Sequence, residues 1–198
     1  MQQLQNDRVD APALDLAKRR RLADIIARRS LLRGSGIKLV SGAVTSFYFD
    51  MKLALFEPEA VNLIGELVLQ ALADEPAEFV GGLELGAVPI ATAVAQKSFG
   101  LRELQGFFVR KEPKGHGTRR LIEGIAEPES MRGRPVVLLE DVTTTGGSAM
   151  KALAAVREVG ALVRVAITLV DRLEGATENL AKEGLRLIPL LTTRDFVI

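Results

Sequence analysis

The sequence predicts an α/β fold, in which a mostly parallel sheet is flanked by helices. Strand-like apolar runs alternate along the chain with segments whose apolar residues recur at helical spacing. The 198 residues are 47% hydrophobic, which supplies one domain with a substantial core. We therefore expect a single domain over residues 1–198, in which about residues 1–12 form a disordered polar lead.

Local signals support each element of this fold. Pro58 is typical of a first helical turn, and Gly160 is placed to end a helix. The segment RGSG at 33–36 is expected to end the first helix. The predicted helices are 13–32, 58–72, 84–100, 146–160 and 175–183, and the predicted strands are 46–53, 78–83, 104–109, 135–142, 162–172 and 185–193.

The charge balance gives no indication of a nucleic-acid or membrane partner. Lys and Arg number 26 against 25 Asp and Glu, so there is almost no net charge to attract a polyanion. The first helix has a basic side, formed by residues 18–21 with Arg28 and Arg29. Such a side can bind RNA or anionic lipid, but it is more often a solvated helix face, and we interpret it so.

The sequence also lacks cysteine, a transmembrane segment and a signal peptide. The chain has no cysteine, which excludes disulfides and thiolate metal sites and fits a reducing compartment. No apolar run reaches the roughly 18 residues of a transmembrane helix, and the polar N-terminus is unlike a signal peptide. We expect a soluble, cytoplasmic protein.

The segment VVLLEDVTTTGGS, residues 136–148, has more polar groups than a turn between strand and helix requires. The pattern predicts a buried strand that ends at Glu140 and Asp141, followed by a loop at the carboxyl edge of the sheet, where open α/β folds bind ligands. Gly146 and Gly147 let the backbone approach an anion, and the next helix presents free N–H groups. The hydroxyls of residues 143–145 and Ser148 add donors. We expect a phosphate-monoester site with carboxylates at its rim for sugar hydroxyls or metal-bound water.

Other nucleotide-binding loops do not fit. The chain contains no GxxxxGK[ST] sequence, and its glycine pairs lack the spacing of a dinucleotide fingerprint.

The segment RKEPKGHGTRR, residues 110–120, is a basic loop. Three fixed cations and the chain's one histidine fall within seven positions, while Pro113, Gly115 and Gly117 disfavour regular structure. A loop of this kind can close over a polyanion such as pyrophosphate and exclude water. An ordinary solvated loop is the alternative, and the phosphate site elsewhere in the domain favours the functional interpretation.

Arg172 follows a predicted strand in the segment LVDR. It could hold a planar, anionic substrate through two parallel hydrogen bonds, but a surface salt bridge is the more common role of a lone arginine.

Together these segments resemble the type I phosphoribosyltransferases, and among them the orotate phosphoribosyltransferases. VVLLEDVTTTGGS is similar to the motif that binds phosphoribosyl pyrophosphate (PRPP), and RKEPKGHG is similar to the flexible loop that distinguishes the orotate enzymes from the purine enzymes. LVDR and SGAVTSFYFDMK match further segments. The similarity extends from about residue 20 to the C-terminus.

The resemblance implies a role for each matched residue. Glu140 and Asp141 would hold the ribose hydroxyls, Thr144 and Arg172 would contact orotate, and no protein side chain is assigned to a metal. Tyr48 and Phe49 match an aromatic pair beside the base. The residues expected to bind PRPP are Arg110, Lys111, Lys114, His116, Glu140, Asp141, Val142, Thr143, Thr144, Thr145, Gly146, Gly147 and Ser148, and those expected in catalysis are Lys111, Lys114, His116 and Asp141.

The implied reaction converts orotate and PRPP into orotidine 5-monophosphate and pyrophosphate with Mg²⁺, in de novo UMP biosynthesis. The resemblance also implies a small N-terminal hood segment on the type I fold, and a homodimer in which the loop 110–117 reaches the neighbour's PRPP site. Two alternatives remain open. One is a phosphoribosyltransferase for another nucleobase, and the other is an RNA-binding pyrimidine regulator with the same fold.

The chain departs from the family at three positions. Val40 and Ala43 stand where many members have basic residues, and Gly86 stands where some have lysine. No contact is assigned to these positions.

Overall fold

A computed structural model describes residues 14–38, 44–113 and 120–197. The predicted polar lead, 1–12, and the departures at Val40 and Ala43 lie outside these ranges. The helices are α1 (Leu16–Arg29), α2 (Lys52–Leu55), α3 (Pro58–Ala71), α4 (Ala87–Ser98), α5 (Gly147–Glu158) and α6 (Ala176–Lys182). The strands are β1 (Leu31–Lys38), β2 (Val44–Phe49), β3 (Phe79–Leu83), β4 (Gln105–Val109), β5 (Ile122–Glu123), β6 (Pro135–Thr143), β7 (Leu162–Asp171) and β8 (Arg186–Thr192).

The α/β prediction is confirmed by a six-stranded sheet with the order β5-β4-β3-β6-β7-β8. All neighbours in it are parallel except β4 and β5. From β3 the chain passes outward to β4 and then returns to the other side of β3 as β6. The strand order therefore reverses between β3 and β6, and open α/β sheets bind their ligands at such a point.

Helices cover both faces of the sheet, and the central strands are apolar on both sides. On β6, Val137 and Leu139 belong to the core shared with α1, α3 and α4, while Val136 and Leu138 belong to the core shared with α5. All four side chains are at most 2% exposed. This double burial explains the continuous apolar run before the motif, because a strand with one solvated face would alternate.

An antiparallel hairpin of β1 and β2 follows α1 and forms a separate two-stranded sheet. The predicted helix to Leu32 was wrong at its end, and RGSG does not terminate it but lies inside β1. Ser30 closes α1, and its carbonyl accepts the N–H of Asp50 at 2.8 Å, which starts the hairpin. The glycines of RGSG instead accompany a register shift between Arg33 and Ile37.

The strand predicted over 46–53 is shorter than expected. β2 ends at Phe49, and the chain turns into α2, whose Ala54 and Leu55 are buried. The α1, β1, β2 and α2 segment, residues 14–55 without 39–43, is called the N-terminal unit below. It corresponds to the predicted hood segment.

The basic side of α1 is largely paired with acids and backbone. Lys18 lies 2.9 Å from Glu66, Arg21 lies 2.6 Å from Glu59, and Arg19 donates through Nε to the carbonyl of Leu190 at 2.7 Å. These partners favour the interpretation of this side as an ordinary helix face. Among the helices of the described ranges, none has the length and apolar character needed to cross a bilayer.

Candidate active site

A cavity of about 810 Å³ opens where the strand order reverses. Its walls come from the loop after β3, from the ends of β4 and β6, from the start of α5, and from α2, α3 and α4. The charged and polar residues that line it are Lys52, Glu84, Thr92, Gln96, Lys111, Glu140, Asp141 and Ser148.

Glu140 and Asp141 lie within β6, which continues to Thr143 and does not end at the two carboxylates as predicted. Glu140 is only 8% exposed, and its Oε2 is buried with no hydrogen-bond partner among the described residues. Burial, and secondarily the neighbouring Asp141, raises the pKa of the Glu140 carboxyl well above its usual value. Asp141 is half-buried, and its Oδ1 accepts the N–H of Val142 at 2.8 Å.

The loop between β3 and α4 packs directly on Asp141. A Cβ atom on Gly86 would lie 2.5 Å from Cγ of Asp141. Any residue other than glycine at this position would therefore displace the carboxylate of Asp141. In the same loop the peptide bond between Glu84 and Leu85 is cis. Oε1 of Glu84 accepts the N–H of Lys111 at 2.8 Å, which ties this loop to the one that follows β4.

The predicted phosphate cradle lies between β6 and α5. Gly146 has φ +87°, a left-handed conformation that suits glycine, and no side chain caps the N-terminus of α5. That end of the helix therefore presents free N–H groups and the positive end of the helix dipole. Asn179 holds the loop by donating to the carbonyl of Thr145 at 3.0 Å.

The hydroxyls of the cradle are not equally accessible. Thr143 is 3% exposed and belongs to β6, where its carbonyl accepts the N–H of Arg172 at 2.9 Å. Thr144 is half-buried, and Thr145 and Ser148 are exposed together with Gly147. The accessible donors thus begin one residue later than the sequence suggested.

Part of the predicted basic loop is described. The N–H of Arg110 donates to the carbonyl of Leu121 at 2.9 Å, and its Nε donates to the carbonyl of Glu112 at 3.2 Å. Lys111 is exposed and lines the cavity. Lys114 and His116 lie outside the described residues.

Arg172 is not a surface arginine, since its side chain is 8% exposed. The guanidinium carbon lies 4.5 Å from the ring centroid of Phe47, and Nη2 lies 2.8 Å from Oε1 of Glu174. Its Nε is buried without a hydrogen-bond partner among the described residues. An unpartnered donor beside an aromatic ring is well suited to a planar acceptor.

Phe47 is a candidate site residue that the sequence analysis missed. Of the two aromatic residues predicted there, Phe49 lies on the same face of β2, 5.8 Å from Phe47, but is 4% exposed and packs edge-on against Phe196 at 5.1 Å. Tyr48 lies on the opposite face and is 36% exposed. The alternation of β2 was the available signal, because it puts Thr45 and Phe47 on one face. Thr45 also meets Arg172, at 3.5 Å from its Nη2.

Comparisons with known proteins point to one family. Residues 54–190 match the model of the phosphoribosyl transferase domain. The chain is 50% identical over 182 residues to the orotate phosphoribosyltransferase of Rhodopseudomonas palustris strain BisB5, covering 91% of this chain and 97% of that protein.

Solved structures give the same result. The orotate phosphoribosyltransferase of Mycobacterium tuberculosis in complex with Fe(III) dicitrate is 40% identical, with a TM-score of 0.78 over 90% of this chain and 98% of that one. The M. tuberculosis enzyme in complex with PRPP is 35% identical, with a TM-score of 0.72 over 91% of this chain and 92% of that one.

Proposed function

The chain belongs to the phosphoribosyl transferase family, and from this premise we propose that it is an orotate phosphoribosyltransferase of pyrimidine biosynthesis. It transfers ribose 5-phosphate from PRPP to orotate, giving orotidine 5-monophosphate and pyrophosphate. The bond between ribose C1 and the pyrophosphate oxygen breaks with its electron pair on pyrophosphate. A ring nitrogen of orotate supplies the pair for the new bond to C1 and loses its proton, which passes to the departing pyrophosphate or to solvent.

One observation carries this proposal: two adjacent carboxylates lie on β6 immediately before an uncapped helix N-terminus, in a cavity at the reversal of strand order. We assign the 5-phosphate to the free N–H groups of α5 and the hydroxyls of Thr144, Thr145 and Ser148. We assign the ribose hydroxyls to Glu140 and Asp141, as acceptors.

Mg²⁺ fits this site as a companion of the substrate. Glu140 and Asp141 offer only oxygen donors, and one oxygen of Glu140 is buried and unpartnered, which suits a hard cation. Across residues 14–38, 44–113 and 120–197, no three His, Cys, Asp or Glu side chains come together as a metal site. Mg²⁺ would therefore be held mainly by PRPP oxygens and water, and when bound it neutralises charge on the departing pyrophosphate.

The protein's own contribution is positional and electrostatic. The negative charge of orotate at neutral pH lies on its carboxylate, which Arg172 is assigned to bind, and the ring nitrogen loses its proton as the bond to C1 forms. Positive charge develops on the ribose as pyrophosphate leaves, and Asp141 lies beside the assigned ribose site to stabilise it. Lys111, with Lys114 and His116 further along the loop, neutralises the charge that grows on pyrophosphate.

We assign the orotate carboxylate to Arg172. Its Nε is buried and unpartnered, so it can donate to a carboxylate in the plane of the guanidinium, while Phe47 supports the face of that group. Thr144 is a second contact to the base, because the bond from the N–H of Arg172 to the carbonyl of Thr143 brings the two residues together.

We further propose a homodimer with shared sites. A basic loop with few apolar residues needs an anionic target, and a two-fold axis would give each loop the site of its neighbour. Within one chain Lys111 lines that chain's own cavity, so crossing is best tested on the later cations, Lys114 and His116. Cytoplasmic location stays a prediction of the sequence.

A spectrophotometric assay of orotate consumption with PRPP and Mg²⁺ tests the function. We expect turnover with orotate, none with uracil, adenine or hypoxanthine, and near-complete loss in Asp141→Asn. Turnover with another base in place of orotate would make the chain the related transferase of the first alternative. RNA binding without any PRPP turnover would support the second alternative, the RNA-binding regulator. The ion pairs on the basic side of α1 argue against it.

A further inference from the structure

The charge of the cavity is unfavourable for PRPP unless more cations join it. Among the described residues its lining has three carboxylates, Glu84, Glu140 and Asp141, and two ammonium groups, Lys52 and Lys111. PRPP is itself a polyanion, with a phosphate at one end and a diphosphate at the other. Each cation on the wall is therefore valuable, and Lys52 has no part in the site assigned above.

Lys52 approaches the cavity from a different element than Lys111. It is the first residue of α2, in the N-terminal unit, whereas Lys111 follows β4. Its side chain is 63% exposed, so the ammonium is not used in the core. The ion pair with Asp50, and more weakly the charges of Tyr48 and Asp141, raise the pKa of Lys52, which keeps it charged at neutral pH.

The contact of Lys52 with Asp50 leaves its hydrogen-bonding capacity open. Nζ lies 2.5 Å from Oδ1 of Asp50. An ammonium group has three N–H donors, so this contact engages one of them and leaves two for another acceptor.

No side chain at position 86 can provide this charge, because Gly86 is already packed on Asp141. A cation that serves the same wall must come from outside the loop of β3 and α4, and Lys52 is such a cation among the cavity-lining residues.

We propose that Lys52 is a substrate-binding residue that contacts the diphosphate group of PRPP. The 5-phosphate is assigned to the N-terminus of α5, and Lys52 lines the same cavity as Lys111, which is assigned to pyrophosphate. The inference rests on the proposed function, since it presumes that PRPP occupies this cavity. It adds a fixed cation, carried by the N-terminal unit, to those of the basic loop.

Binding measurements on four variants test the role of Lys52. Isothermal titration calorimetry with Mg²⁺ gives the Kd of PRPP, of pyrophosphate and of ribose 5-phosphate for Lys52→Gln, Lys52→Arg, Asp50→Asn and Lys18→Gln. Lys18 is the matched control, because it is also partly exposed and paired with a carboxylate, Glu66, but lies outside the cavity. A charge-assisted contact to a phosphate group predicts a loss of about tenfold or more in affinity.

We expect Lys52→Gln to raise the Kd of PRPP and of pyrophosphate about tenfold or more and to leave that of ribose 5-phosphate unchanged. Lys52→Arg should retain most of the affinity, and Asp50→Asn and Lys18→Gln should not weaken binding. The salt dependence of PRPP binding should also become shallower in Lys52→Gln, since one phosphate contact is lost.

Three results would overturn the inference while wild-type turnover stands. They are unchanged pyrophosphate affinity in Lys52→Gln, an equal loss in Lys18→Gln, and an equal loss in Asp50→Asn, which would make the ion pair structural. If the wild-type protein binds no PRPP and consumes no orotate, the proposed function itself fails, and this inference fails with it.

Discussion

Four of the described side chains carry buried polar atoms without partners, and two of them, Glu140 and Arg172, are those assigned to the sugar and to the base. Leaving such groups unsatisfied costs stability, and native proteins rarely do so without a functional reason. In the proposed complex Glu140 would gain ribose hydroxyls and Arg172 would gain a carboxylate. The proposal therefore predicts that substrate binding stabilises this part of the protein.

Substrate-free Glu140→Gln is expected to be more stable than the wild type at neutral pH. Because the pKa of Glu140 is raised in the folded protein, the folded state favours the protonated acid. Its contribution to stability is present below the ordinary pKa of glutamate and is lost as pH rises toward the folded pKa. Glutamine does not ionise, so the Tm of the variant should exceed that of the wild type by about 2 °C or more at pH 8. The gap should close as pH falls toward about 4.

Thermal unfolding from pH 4 to 8 measures this gap, and Glu158→Gln, an exposed carboxylate on the same side of the sheet, is the control. The burial argument would be wrong if Glu140→Gln unfolded at or below the wild-type temperature throughout. The same variant should lose activity, because an amide is a poorer acceptor for ribose hydroxyls.

Arg172→Ala should weaken orotate binding and spare PRPP. A charge-assisted contact to a small anion is worth about 1.5–3 kcal/mol, which corresponds to a roughly ten- to hundred-fold rise in Kd. Calorimetry with orotate and PRPP separately measures the effect. Arg194→Ala, an exposed arginine of the turn after β8, is the control. Equal losses for both ligands would indicate that Arg172 supports the fold rather than the base.

At the scale of elements, the sequence predicted those with strong periodicity and missed those set by tertiary contacts. The central strands and the helices α3 to α6 follow from apolar spacing, Pro58 and Gly160. The end of α1 could not be located, since Leu32 continues the helical stripe but pairs with Tyr48 across the hairpin. β5 has two residues, too few for any pattern.

The site was predictable to a similar extent. Glu140, Asp141 and the glycines of the cradle are contiguous in sequence, so one motif reveals them. Gly86 and Lys52 reach the cavity through the packing of separate elements, and their sequence neighbours gave no sign of this. Phe47 meets Arg172 through the packing of β2, and only the alternation of that strand hinted at it.

Gly86→Ala tests the packing of the β3–α4 loop on β6. A methyl group there would overlap the carboxylate of Asp141, which must then move. A misplacement of about 1 Å can cost on the order of a hundredfold in rate, so we expect kcat to fall at least about tenfold with a lowered Tm. In an Asp141→Ala background the overlap is gone, and Gly86→Ala should then change Tm little.

Activity and thermal unfolding of the two single variants and the double variant measure this coupling. Gly106→Ala is the matched control, because a Cβ there meets its nearest atom at an ordinary 3.4 Å. Additive Tm changes in the double variant would show that Gly86 acts on something other than Asp141.

At the scale of the whole molecule, two cores lie behind the catalytic edge, one on each face of the sheet. The strands that carry the site are buried on both sides, so the positions of Glu140 and Asp141 depend on the packing of the entire domain. The α/β class and parallel order were accessible from the alternation of elements. The strand order, and with it the location of the cavity, required the structure.

A mixed dimer tests the proposed assembly. Asp141→Asn and Lys114→Ala should each be nearly inactive as homodimers. If the loop reaches the active site of the neighbouring subunit, one site of a mixed dimer contains both substitutions and the other contains neither. Random re-annealing makes about half of the dimers mixed, so roughly a quarter of wild-type activity should return.

The same experiment with Lys111→Ala locates the point of crossing. Lys111 lines the cavity of its own chain. If mixed dimers of Lys111→Ala and Asp141→Asn stay inactive, the part of the loop that reaches the neighbouring subunit begins after Lys111. Mass spectrometry must verify that mixing occurred. Activity at the parental level for the Lys114 pair would show that the loop serves its own chain.

The N-terminal unit has a consequence for how such enzymes diversify. The family model begins at residue 54, while Thr45 and Phe47, which meet Arg172, lie before it. Under the proposed assignment, recognition of the base depends partly on a short, separately paired hairpin, and binding of the sugar and phosphate depends on the sheet. Mutations in the hairpin can explore new bases with little risk to PRPP handling. A graft of residues 44–49 from a relative with another base would be an economical route to altered specificity.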